Sequence, residues 1–137
     1  WAYALSTRPY GDTRTEYRAV LERTALYSAT GSTIVVLPKA KLTRPKVPSS
    51  TVRRGATFIS SGRMYPGHRG VVGVHFERRT PSGWRSEKFV KVTSASDGTW
   101  RVRTAVPKAG SWRVRATHLD VGHQASTSQA SVSMTVR

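Results

Sequence analysis

Between Gly98 and Leu119 the chain reads GTWRVRTAVPKAGSWRVRATHL, and the run Trp-Arg-Val-Arg stands in it twice, at 100–103 and 112–115. Apolar and charged residues alternate in both copies, so Trp100, Val102, Trp112 and Val114 project one way and Arg101, Arg103, Arg113 and Arg115 the other. A side-chain period of two belongs to a strand, whereas a helix would scatter the same residues around its circumference. The pattern predicts two antiparallel strands of a two-layer β-sandwich, each with a dry face and a strongly basic wet one.

The alternation continues on either side. Val72, Val74 and Phe76 interleave with Gly73, His75 and Glu77 as in a central strand. Phe58, Ser60 and Gly62 share one face of an earlier strand with Ile59 opposite, and Trp84 to Thr93 makes another with Phe89, Val90 and Val92 as its apolar members. A last strand holds Val132, Met134 and Val136 inward. Turn chemistry falls at Tyr65 to Gly70, Thr80 to Gly83 and Ser94 to Gly98. About seven strands in roughly 95 residues, punctuated every 8 to 12, is the rhythm of an immunoglobulin-like sandwich. The expected architecture is therefore all-β: a complete Ig-like antiparallel sandwich over 41–137, with Trp100, Trp112, Val74, Phe76, Val114 and Val132 in its core.

Residues 1–40 look like part of the same design. Trp1, Tyr3 and Leu5, then Tyr17, Ala19 and Leu21, then Thr33 to Leu37 follow the order of the later Trp100, Trp112 and Val132 strands. They read as the last three strands of a preceding, incomplete Ig-like repeat. Pro38, Pro45 and Pro48, set among Lys39, Lys41, Arg44 and Lys46, make an extended basic connector. Its part from Lys41 to Val47 is suited to double as the first edge strand of the second unit, where proline is tolerated. Two accounts of the incomplete repeat stand side by side. It belongs to a longer array, or it is completed by strands of a neighbouring subunit, which on repetition builds a head-to-tail fibre.

Composition narrows the functions. The 137 residues carry 23 Lys and Arg against 7 Asp and Glu, a net charge of +16 and a pI near 11.5, so any polyanion would be attracted: nucleic acid, anionic lipid or an anionic wall polymer. There is no cysteine, which excludes disulfides, a thiol nucleophile and a cysteine-ligated zinc. No stretch approaches the roughly 20 apolar residues of a membrane-spanning helix. The chain starts at Trp1 rather than at methionine, so a longer parent is expected, with any signal peptide or anchor outside the sequence shown.

Catalysis leaves little trace. Asp12, Glu16, Glu22, Glu77, Glu87, Asp97 and Asp120 are the acidic residues, none placed beside another as a hydrolytic pair, and no Gly-x-Ser-x-Gly elbow is present. No enzyme and no cofactor is expected. His118, Asp120 and His123 form one suggestive cluster that could meet a divalent metal, or could hold their loop by bonding backbone groups. Arg101, Arg103, Arg113 and Arg115, joined by Arg78, Arg79 and Arg85, are either the solvated side of a sheet or a basic face that grips anions through charge-assisted hydrogen bonds. Nucleic-acid binders intersperse aromatics for base stacking on such a face. Trp100 and Trp112 alternate with the arginines and so turn away, which favours acidic envelope polymers over specific nucleic-acid readout.

Pro45-Lys46-Val47-Pro48, Arg54 to Phe58, Ser60-Ser61-Gly62, Gly110 to Ala116 and His118 to His123 together resemble the Ig-like repeat modules of large secreted or surface proteins from high-GC Gram-positive bacteria, the actinobacteria. The similarity covers about Lys41 to Arg137, and the front segment resembles the tail of a preceding repeat. It implies export and a place outside the membrane. The function expected on these grounds is a non-catalytic structural, spacer or assembly module whose partners are other repeats or subunits of the same protein. The alternative is a module whose basic face associates with anionic cell-envelope polymers.

Overall fold

The fold is seen in a computed structural model that describes residues 15–21, 30–36, 39–47, 50–118 and 124–137. Every regular element among them is a strand: β1 (Thr15–Leu21), β2 (Thr30–Val36), β3 (Lys41–Leu42), β4 (Thr51–Val52), β5 (Thr57–Tyr65), β6 (Val71–Thr80), β7 (Gly83–Thr93), β8 (Thr99–Ala105), β9 (Gly110–His118), β10 (Ser126–Thr127) and β11 (Met134–Val136). Strands β1 and β2 pair antiparallel as a sheet of their own, Thr15 opposite Val36. The expected strand at Trp1 to Leu5 lies outside the described residues.

The rest forms two layers. A large sheet runs β4-β11-β9-β6-β7, with β10 also on β9, and a small one runs β3-β5-β8. The first strand changes layers: Lys41–Leu42 pairs antiparallel with β5, whereas Thr51–Val52 pairs parallel with β11. Lys46 still bridges Ser61 of β5, so the crossing falls after the buried Pro45, at a sheet edge where a missing N–H costs nothing. Taken as one strand, β3 and β4, with β10 and β11 as another, bring the sandwich to the expected seven, in the crossed-over order of an immunoglobulin-like fold.

Alternation decides which side of each ribbon is dry. Phe58, Ser60, Met64, Trp100 and Val102 of the small sheet face Val72, Val74, Phe76, Trp112, Val114 and Ala116 of the large one, all of them buried. Phe58 meets Phe76 edge-on across the interlayer gap at 5.9 Å. Each buried Val, Phe or Met side chain is worth on the order of 1.5–3 kcal/mol, so one or two of them match the roughly 2–5 kcal/mol a disulfide supplies to small secreted domains. Packing thus closes the sandwich without a staple.

One expected core residue is on the outside. Val132 is 61% exposed, while Ser131 is buried. Regular pairing lapses between β10 and β11, and two serines repair it. The backbone N–H groups of Ser128 and Ser131 donate to the carbonyls of Ala116 and Val114, while their hydroxyls accept from the N–H groups of the same two residues. Bonding both ways to β9 turns Ser131 inward and leaves its neighbour facing water.

The two Trp-Arg-Val-Arg strands belong to different layers, β8 to the small sheet and β9 to the large, joined by the short crossing at Val106 to Ala109. Strands β7 and β8 end their respective sheets on one flank, where Lys88 Nζ of β7 donates to the Ala105 carbonyl of β8 at 3.2 Å.

Candidate anion-binding face

Because the sheets are stacked with their dry sides together, the arginines of β8 and β9 project from opposite surfaces of the molecule. The single basic face expected from the sequence is therefore divided in two, and the halves differ chemically.

On the large sheet the cations are largely engaged. Arg113 on β9 lies opposite Glu77 on β6, with Nε 2.5 Å from Oε2, and Arg115 Nε stands 3.5 Å from Oε1 of the same carboxylate. Arg113 also lays its guanidinium 4.4 Å from the ring centre of Trp84, with Arg79 at 5.7 Å from that ring. Arg78 shares Glu87 with Lys108, at 3.2 and 2.7 Å. The Lys108 hydrogen bond, helped by Arg78, outweighs desolvation and holds the Glu87 carboxyl below its ordinary value of 4.5. Arg85, opposite Arg78 on β7, is exposed. A β-bulge between Phe76 and Glu77 shifts the register of β6 against β7. The pairing of β6 with β9 runs on without a break, so Arg78 shares the side of Trp112 rather than that of Arg113, as the alternation of Val72, Val74 and Phe76 along β6 requires.

The outer surface of the small sheet is different. Arg101 and Arg103 of β8 are exposed and lie opposite Ser61 and Ile59 of β5, with Arg63 two positions further along. Lys41 and Lys46 flank β5 on its other edge. No carboxylate pairs with Lys41, Arg44, Lys46, Arg101 or Arg103 among the described residues. The acidic side chain next to this surface is Asp97, and it is occupied: Oδ1 accepts from the N–H and hydroxyl of Thr99 at 3.0 and 2.7 Å, bonds that lower its pKa from the ordinary 3.8.

A groove of about 380 Å³ indents this surface where the chain bows away from β5 between Thr43 and Lys46. Arg44, Lys46, Arg63 and Arg101 border it, and Trp100, Gly62 and Tyr65 form part of its lining. Arg63 is held in place, its Nε donating to the Asp97 carbonyl at 3.0 Å and its guanidinium lying 5.0 Å from the Tyr65 ring centre. Trp100 differs here from its sequence twin. Trp112 Nε1 donates to the Lys108 carbonyl at 2.9 Å, but the buried Nε1 of Trp100 has no acceptor among the described residues. A second depression of about 600 Å³ runs between β3 and β10 past Lys39 and Lys41, with Arg44 bordering both.

The described residues include part of the histidine cluster. His118 is buried, with its ring 5.5 Å from that of His68 in an edge-on contact. Asp120 and His123 lie outside the described residues, and among those described no group of three His, Asp or Glu side chains is placed to hold a metal ion. No helix of the described residues is long and apolar enough to cross a membrane.

Sequence reasoning missed the participation of Arg44, Lys46 and Arg63. Arg44 and Lys46 stand in the part of the connector that the sequence offers as an edge strand and that does border β5, while Arg63 stands on β5 itself, two positions along from Ser61.

No protein-family model matches the chain, and none of the curated proteins matches it. Among solved structures the chain is similar to the CARDB domain of the PF1109 protein from Pyrococcus furiosus, in complex with di-metal ions, at 12% identity and a TM-score of 0.43, over 74% of this chain and 90% of that one.

Proposed function

We propose that this chain is a non-catalytic Ig-like module of a secreted or surface-exposed bacterial protein, and that it associates through the outer face of its small sheet with anionic polymers of the cell envelope. The observation that carries this reading is the asymmetry between the two surfaces. Glu77 and Glu87 attend the arginines of the large sheet, while Lys41, Lys46, Arg101 and Arg103 of the small sheet have no carboxylate partner among the described residues. Cations ranged along one face without such partners raise the local concentration of a polyanion and exchange its counterions on contact. The three acidic side chains described are taken up in ion pairs or a turn, which leaves them poorly suited to acid–base chemistry.

Retention of the full chain on immobilised poly(glycerol phosphate), titrated with salt, tests the proposal. Saturable binding that weakens linearly in log–log form as salt rises is expected. A chain that passes through unretained at about 0.15 M salt would be a plain spacer.

A second reading rests on β1 and β2. Among the described residues this unit holds two strands, fewer than a stable sheet needs in water, and Val35 on it is 44% exposed. Completion of this unit by a neighbouring repeat or subunit would make the module part of an array or a fibre. Sedimentation over a wide concentration range tests that reading, and a monomer at every concentration removes the fibre.

A further inference from the structure

We infer that the groove bordered by Arg44, Lys46, Arg63 and Arg101 is a seat for one phosphate group of a phosphodiester-linked polyol chain, an inference that rests on the anion-binding reading above. Charge alone does not single out this place, since Arg103 and Lys41 share the surface. What distinguishes the groove is that its donors converge and that some are already positioned.

Arg63 carries most of that positioning. Its Nε is spent on the Asp97 carbonyl and its plane is braced against Tyr65, so both terminal nitrogens remain for a ligand at little further ordering cost. Thr43 Oγ1 accepts from the Arg63 N–H at 2.9 Å, which leaves its hydroxyl proton available to an acceptor in the groove. Trp100 provides the independent sign of a ligand. The residue is 2% exposed, lines the groove, and holds a buried donor without an acceptor among the described residues. Indole N–H can only donate, and buried donors are nearly always satisfied, so an acceptor-rich group is what this lining lacks. Gly62 makes the arrangement possible, because a Cβ there would fall 2.5 Å from Trp100 Cζ2 and 3.0 Å from Nε1.

The donor set selects the ligand class. Guanidinium and ammonium groups approach from the connector, from β5 and from β8, which suits the oxygens of a tetrahedral phosphate better than a planar carboxylate served by one fork. A nucleobase finds no stacking platform, because the Tyr65 ring already carries Arg63 and the Trp100 ring is buried. A polyol phosphate has no base to stack and needs none.

The test measures affinity and its salt slope for the full chain against poly(glycerol phosphate) of defined length. The variants are Arg44→Gln and Arg101→Gln in the groove, singly and together, Arg103→Gln on the same face outside it, and Ser61→Phe, which fills the groove without removing charge. All are checked for an unchanged melting transition. The groove pair is expected to lose about tenfold or more in affinity and to lower the salt slope by about 0.7 to 1, the share of the one phosphate seated there. Arg103→Gln should lose less than about threefold, while Ser61→Phe should weaken binding with the net charge intact. Equal losses for Arg103→Gln and for each groove arginine taken singly, or full binding by Ser61→Phe, would overturn the seat while leaving the anion-binding face standing. Failure of the unaltered chain to bind would overturn both. Equally tight binding of polygalacturonate would overturn the choice of phosphate, and tighter binding of single-stranded DNA with the same number of phosphates would overturn the choice of polyol.

Discussion

Replacing Gly62 by alanine asks whether Trp100 is locked across β5 as the geometry requires. The added Cβ would meet Trp100 at 2.5 Å from Cζ2, 2.7 Å from Cε2 and 3.0 Å from Nε1. Real Cβ contacts are not that close, so something must move. The indole is among the largest fully enclosed side chains and cannot swing out to water. Gly62 is absent from the positive-φ glycines, so alanine meets no backbone penalty and would by itself gain about 0.5–1 kcal/mol over glycine in a strand. Against this stands overpacking, at about 1–3 kcal/mol. The clash wins, and a net loss of about 1–2 kcal/mol is expected. Urea unfolding reads it as a lower midpoint at unchanged slope. Removing the ring as well, with Trp100→Leu, should make alanine at 62 harmless, so a double-mutant cycle should show a coupling of about 1–2 kcal/mol. Gly62→Ala as stable as the parent, or a cycle that is additive within about 0.5 kcal/mol, would refute the reasoning.

Ser131→Ala strips the acceptor from the buried Val114 N–H and should cost about 1–3 kcal/mol, while Val132→Ala next to it should change stability by less than about 0.5 kcal/mol. Thermal melting of the two variants decides, and the reverse order would place the valine inside after all. Glu87 and Asp97 both have folded-state pKa values lowered from 4.5 and 3.8, Glu87 chiefly by the Lys108 hydrogen bond and Asp97 by Thr99. Their contribution to stability is fully present above those ordinary values and is lost as pH falls through the lower folded ones, because the unfolded chain then takes up protons first. Glu87→Gln should accordingly show a shallower fall in melting temperature between about pH 5 and pH 3. Acid limbs of equal steepness would contradict it.

What was legible in the sequence is what period-two alternation encodes. Trp100, Val102, Trp112 and Val114 face inward as their spacing requires, and Val72, Val74 and Phe76 do the same. Two kinds of information lay elsewhere. Alternation shows which side of a strand is dry but not which layer it joins, so Arg101 and Arg113 looked like neighbours although β8 pairs with β5 and β9 with β6. Glu77 and Arg113 are 36 residues apart in sequence, and only the pairing of β6 with β9 brings them together. Val132 failed for a local reason. Continuing the alternation back from Met134 assumes an unbroken strand, whereas hydroxyl bonds from Ser128 and Ser131 replace strand pairing there.

At the flank where β7 and β8 terminate their sheets, the ammonium of Lys88 sits on the last carbonyl of β8 and that of Lys108 on Glu87. Each bars the approach of a foreign backbone, since a strand docking there would have to displace a hydrated cation and bury its charge. Neighbouring copies tethered in one polypeptide are most at risk of mispairing while they are still being made, when concentrations are high and edges are bare. A pair of lysines on this rim works against such mispairing wherever one copy of the fold meets another.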